Sequence, residues 1–200
     1  MSEKQKVLVT GFDRFGYLQR PNRSSEVVLP AIEDRYSDLV KALVLPTARN
    51  IAAKQLIEAI DDINPAAVVM FGISVGRKVR LEQRARNHRF NILFPDNIGV
   101  RAVGRVSPNG PATIAATLPL GGIYDKLQSA GVPTKLSNDA GTFVCNEVMY
   151  EALHHVGESK ASSVLPTGFI HLGNGLNDQL LVEAGLMVVD ELLKLNDSAK

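Results

Sequence analysis

Apolar residues in this chain follow two alternating patterns: short continuous runs, and longer stretches in which they recur every three or four positions. Lys6–Thr10 reads as a first strand that Gly11 ends. Ser24–Tyr36 reads as a helix, with Ser24 or Ser25 as its N-cap and Pro30 in an early turn or at a kink. Leu39–Leu45 is a second strand, stopped by Pro46. Over Ala48–Ile63 the residues Ile51, Leu56, Ala59, Ile60 and Ile63 keep helical spacing, and Pro65 closes the segment. Ala66–Phe71 is apolar throughout, as a strand buried on both faces would be.

The middle of the chain is less periodic. Val79–Leu93 reads as one or two strands, and Phe94–Pro111, rich in Gly, Pro and Asn, as a long excursion or hairpin. Leu120–Ser129 is a short helix, Thr134–Asn138 a strand, Phe143–His155 a helix, Gly168–Leu172 a strand and Asp178–Leu195 a terminal helix. Loose chain is expected over the first five residues, the last five and Gly157–Pro166. Strands alternating with helices predict a largely parallel sheet covered on both sides, with no repeat and no internal domain boundary.

Composition narrows the function classes. Two hundred residues with 45% hydrophobic content suit one domain with a full core. The 22 basic and 21 acidic residues are interspersed and leave a net charge of +1, which argues against nucleic-acid or anionic-membrane partners. The single cysteine cannot form an internal disulfide, and no Cys/His set has zinc spacing. The N-terminal apolar run, Val7–Val9, is too short for a signal-peptide core, and no stretch approaches ~18 continuous apolar residues. A cytoplasmic location is therefore expected.

The lone cysteine, Cys145, lies in Ser137–Asn146 (Ser-Asn-Asp-Ala-Gly-Thr-Phe-Val-Cys-Asn), where a strand gives way to a helix. A thiol there faces the positive end of the helix dipole, a setting that stabilises thiolates. His171 ends the apolar strand in Thr167–Leu172 (Thr-Gly-Phe-Ile-His-Leu), and open α/β sheets place ligands beyond the carboxyl ends of strands. His88, in a basic run, and His154-His155, at a helix end, read as surface or capping residues. A rival nucleophile is Ser74 in Gly72-Ile73-Ser74-Val75-Gly76, the pattern of a serine-hydrolase elbow, with Asp96 or Asp139 and His171 downstream. An elbow must feed a packed helix, however, and Arg77-Lys78-Val79-Arg80 offers little to pack. Gly173-Asn174-Gly175 reads only as a turn.

These segments, in order, resemble the pyroglutamyl peptidase I (pyrrolidone-carboxylate peptidase) family of cysteine peptidases. Val7–Gly16 is similar to the family's Val-Thr-Gly-Phe-x-x-Phe-Gly opening, and Leu45-Pro46 to the end of its second strand. Gly72–Arg77 resembles its Gly-x-Ala-x-Gly-Arg loop with Ser74 at the alanine, which demotes the serine elbow. Pro95-Asp96-Asn97, Ser137–Tyr150 and Gly168–His171 complete the match. The resemblance implies a single-domain three-layer α/β/α sandwich with a mostly parallel, partly mixed sheet. It implies a Glu, Cys, His triad in which Cys145 and His171 carry over directly. For the acid we take Glu82 from Glu82-Gln83-Arg84-Ala85-Arg86-Asn87, although ungapped counting lands on Gln83.

The family's activity, removal of an N-terminal pyroglutamyl residue, is what the resemblance implies, with no cofactor and no metal. The partners it implies are pyroglutamyl peptides and further copies of the chain, in a homodimer or homotetramer. Phe12, Phe15, Phe143 and Val144 match positions that wall the family's substrate pocket. Three departures stand out: Asn22-Arg23-Ser24 replaces Asn-Pro-Ser/Thr, Leu93 stands where an arginine proposed to hold the oxyanion is common, and Leu172-Gly173-Asn174 replaces a Val-Pro segment.

Overall fold

The computed structural model describes residues 5–16, 18–159 and 164–198. The expectations of loose chain over residues 1–4, 160–163 and 199–200 lie outside the described residues. Six strands form the central sheet in the order β2-β1-β3-β10-β4-β9. They are β1 (Val7–Phe12), β2 (Val40–Leu45), β3 (Ala67–Ser74), β4 (Val79–Glu82), β9 (Thr134–Ser137) and β10 (Thr167–Gly173). Every pairing is parallel except β10 with β4, so the sheet is mixed at one junction.

The central strands read as unbroken apolar runs because both of their faces are covered. Successive side chains on a strand point to opposite faces. Val7, Val9, Val69, Phe71, Leu81 and Ile170 therefore pack under α1 (Leu29–Tyr36), α3 (Leu120–Ser129) and α5 (Asp178–Ser198). Leu8, Phe12, Val68, Met70 and Phe169 pack under α2 (Ile51–Ile63) and α4 (Val144–Glu158). This parity assigns every later strand residue to a layer. Phe169 and His171 face α2 and α4, and so does Glu82, since its neighbour Leu81 faces the other way.

Several boundaries differ from the sequence reading. Gly11 does not end β1, which continues to Phe12 because Gly11 and Phe12 pair with Val44 and Leu45. The first helix begins as a π-turn over Ser24–Val28 before α1, and neither serine caps it; Arg23 holds the N-cap position. Asn22 organises this entry instead, its Oδ1 accepting from the Ser24 N–H (3.2 Å) and hydroxyl (2.7 Å). Pro30 is the second residue of α1, directly after the π-turn. The second helix starts at Ile51 rather than Ala48, and Asn64 ends it in the left-handed conformation with its N–H on the Ile60 carbonyl.

The excursion after β4 forms two small antiparallel pairs. These are β5 (Arg84–Arg86) with β8 (Thr113–Ala115), and β6 (Arg89–Phe90) with β7 (Val103–Gly104). Side-chain amides hold it down. Buried Asn146 on α4 donates to the Arg86 and His88 carbonyls and accepts from the Arg86 N–H at 2.8–2.9 Å. Asn87 spans Ser107 and Gly110, and Asn91 spans Phe94, Val100 and Ala102. Among the described residues no helix is long and apolar enough to cross a membrane.

Candidate active site

Cys145 occupies the second position of α4 and is half-buried. Gly141, at φ +84°, makes the turn into the helix, with its N–H on the Asp139 carboxylate at 2.9 Å. The helix starts from Phe143, whose extended backbone provides no side-chain cap. The first-turn amides, among them those of Val144 and Cys145, belong to the set that a helix leaves without intrahelical acceptors.

His171 sits near the end of β10, between β3 and β4, and is 5% exposed. Glu82, fully buried at the end of β4, lies diagonally across the antiparallel β10–β4 junction on the same face. Its Oε1 is 2.9 Å from His171 Nδ1. Gln83 has the opposite parity and leaves the strand here, its N–H donating to Ser137 and its carbonyl accepting from Ala116. Arg80 Nε stands 3.2 Å from the same Glu82 oxygen, adding a cation to the cluster.

Burial pulls the His171 imidazole down in pKa, since charge is costly in a dry site. Hydrogen bonds to Cys145 and Glu82, and the charge interactions with both, outweigh that loss and push it up to about 9. The imidazole thus bridges the thiol and the carboxylate. Phe169 supports it from below, with ring centroids 4.7 Å apart. Gly72 of β3 supplies the remaining room: a β-carbon there would lie 2.8 Å from the Phe169 ring and 3.3 Å from Cys145 Sγ.

A cleft of about 330 Å³ opens above the thiol. Phe12, Phe15, Phe143 and Val144 all line it, together with Thr47, Ile73 and Ser74. Phe15 packs edge-on against Phe143 at 5.3 Å between centroids, and the Arg49 guanidinium lies over the other ring at 5.4 Å. Buried Arg49 pairs with buried Glu147 of α4, tying the start of α2 to the turn that carries Cys145.

Ser74 stays demoted, and the reading of Asn174 changes. Ser74 ends β3 in a bend leading to β4, with no helix behind it, and its buried Oγ has no hydrogen-bond partner. A serine nucleophile needs a base within bonding reach, so the elbow does not form. Leu93 is 77% exposed and does not line the cleft. Asn174 is more than a turn residue: it lines the cleft, its Oδ1 accepts from Gly76 N–H, and its carbonyl accepts from Arg23. Of the other histidines, His88 is exposed, His155 pairs with Asp61 at 2.8 Å and His154 with Glu158 at 3.5 Å. Sequence reasoning missed Arg20, Asn22, Arg23, Thr47 and Asn174 as cleft residues. They come from turns and element ends without periodicity, and the family departures at Asn22-Arg23-Ser24 and Leu172-Gly173-Asn174 marked three of them.

The pyroglutamyl peptidase family pattern matches residues 5–191. Pyrrolidone-carboxylate peptidase 1 of Caldanaerobacter subterraneus subsp. tengcongensis is 34% identical over 170 residues, covering 84% of this chain and 81% of that protein. The pyrrolidone-carboxylate peptidase of Gloeobacter violaceus is 38% identical over 170 residues, covering 84% and 80%. The crystal structure of Bacillus amyloliquefaciens pyroglutamyl peptidase I superposes with a TM-score of 0.81 at 27% identity, covering 94% of this chain and 97% of that one. A mutant pyrrolidone carboxyl peptidase from Pyrococcus furiosus gives 0.80 at 28% identity, covering 94% and 98%. With its sheet order, its cysteine at a helix start and these likenesses over nearly its full length, the chain belongs to the pyroglutamyl peptidase family.

Proposed function

We propose that this chain, acting as one peptidase domain over residues 1–200, is a cysteine peptidase that hydrolyses the amide bond after an N-terminal pyroglutamyl (5-oxoprolyl) residue. The observation that carries the reading is the line of Cys145, His171 and Glu82 beneath an apolar cleft. In the proposed reaction His171 takes the Cys145 proton, and the thiolate attacks the pyroglutamyl carbonyl. Glu82 fixes the imidazole through Nδ1 and stabilises its cation. First-turn amides of α4 hold the developing oxyanion, each worth ~3 kcal/mol if pre-aimed. Leu93, outside the cleft lining, takes no part in this step. The imidazolium then protonates the departing amine, and water attacking the thioacyl group releases pyroglutamate.

The substrate's ring is a neutral lactam without the free amine that other aminopeptidases grip. Phe12, Phe15, Phe143 and Val144 give it apolar walls with no anionic anchor among them. The lone thiol fits a reducing, cytoplasmic setting. Phe90, Ile92, Leu93 and Val103, exposed together on the β6–β7 excursion, fit a contact between copies in a homodimer or homotetramer. The test is release of a fluorophore from a pyroglutamyl amide by the unaltered protein. Turnover that iodoacetamide extinguishes is expected. Binding of pyroglutamate without turnover, or labelling by a fluorophosphonate in place of iodoacetamide, would overturn the reading.

A further inference from the structure

The cleft continues past Phe15 into a second groove of about 630 Å³, walled by Leu18, Phe94 and Pro95. Phe15 and Arg20 line both spaces. Their backbones pair as an antiparallel bridge, Phe15 N–H to Arg20 carbonyl at 3.0 Å and the reverse at 2.9 Å. Residues directly opposite in such a pair project their side chains to the same face. Phe15 projects onto Phe143 in the Cys145 cleft, so Arg20 projects beside it, over the passage between cleft and groove.

The acids at this passage are already engaged: Asp13 Oδ1 accepts from the Thr47 N–H at 2.7 Å and from Asn97 Nδ2 at 3.1 Å. Arg23, the other cation of the cleft, is neutralised by Asp178, with Nε to Oδ1 at 2.6 Å. Arg14 pairs with Glu26 at 2.8 Å. Asp96, the groove's acid, is 4% exposed and already accepts from the amides of Arg49, Ile98 and Val100. Among the described residues Arg20 has no carboxylate partner, and its guanidinium presents a fork suited to one.

We propose that Arg20 selects substrates whose leaving amino acid carries a carboxylate, either the free C-terminus of a pyroglutamyl dipeptide or an acidic side chain. This deepens the peptidase reading and rests on it. The acyl half of the substrate fills the cleft over Cys145, so the leaving residue extends past Phe15, with its side chain against Leu18 and Phe94 and its carboxylate at Arg20. Because Arg20 is exposed, the gain is that of a solvated ion pair, about fivefold in kcat/KM.

The experiment compares pyroglutamyl-leucine, pyroglutamyl-leucinamide and the α-amide of pyroglutamyl-glutamate by the rate at which each releases its amine. A C-terminal reader favours the first over the second, and a side-chain reader favours the third; either outcome supports the proposal. In Arg20→Gln the preference should fall to about one. In the unaltered protein it should also shrink as salt rises from about 0.05 M to about 0.5 M, a readout independent of any variant's folding. Equal rates on all three, or a preference unchanged by Arg20→Gln and by salt, would overturn the assignment while leaving the peptidase reading intact. Cleavage of none of the three would overturn both.

Discussion

His171 carries the electrostatic argument at the scale of single residues. Its protonated form is held by Cys145 and Glu82 against the pull of burial, up to about 9 from an ordinary 6.5. Because the folded value lies above the unfolded one, this proton stabilises the fold fully below about pH 6.5 and loses its effect as pH rises through about 9. In the proposed reaction the same imidazolium protonates the leaving amine, so kcat/KM should decline above about pH 9 rather than above 6.5. Glu82→Gln removes one of the groups that hold the proton. It should move the alkaline limb to lower pH and cut kcat by about 10²-fold or more, as expected when the orienting acid of a triad loses its charge. A pH–rate profile of both proteins checks this, and an unmoved limb would contradict it. In the sequence Cys145 stood out by its place where a strand gives way to a helix and His171 by its place near the carboxyl end of an apolar strand, but their proposed roles came from the family resemblance. The choice of Glu82 over Gln83 was not legible by counting; it follows from the pleat, which turns only Glu82 toward the imidazole.

Elements differ in how plainly the sequence announced them. β1, β3 and β10 were readable as apolar runs because helices cover both faces, and α2 because one stripe packs against α4. The excursion of residues 84–115 was readable as an excursion but not in its pairings, since its order comes from distant amide contacts such as Asn146 to Arg86 and His88, which leave no period in the sequence. The Arg49–Glu147 pair was equally invisible: two charges 98 residues apart, both about 2% exposed. It clamps α2 to the first turn of α4, and hence fixes the direction from which Cys145 enters the cleft. Glu147→Gln leaves a buried guanidinium without its counter-charge and should cost about 3–5 kcal/mol in urea unfolding. A loss under ~1 kcal/mol would show that the clamp contributes little.

For the molecule as a whole, one mixed sheet explains where the site lies. The antiparallel β10–β4 junction sets Glu82, the last residue of β4, opposite Phe169, two residues before His171, so a carboxylate and an imidazole 89 residues apart meet on one face. The parallel β3 beside them ends in the loop that walls the cleft. The β6–β7 excursion projects from this scaffold with Ile92 and Leu93 in the open, 49% and 77% exposed. If copies of the chain meet through it, Leu93→Asp should shift the protein toward monomer in light scattering, with the pyroglutamyl cleft left in place. An unchanged mass would place the contact elsewhere.

In the proposed reaction one sulfur does the chemistry, and the decisive measurement is the steady-state rate on a fluorogenic pyroglutamyl amide for Cys145→Ala beside Ser74→Ala. Cys145→Ala should lose turnover to background while Ser74→Ala keeps most of its kcat. Turnover surviving in Cys145→Ala, or vanishing in Ser74→Ala alone, would contradict it.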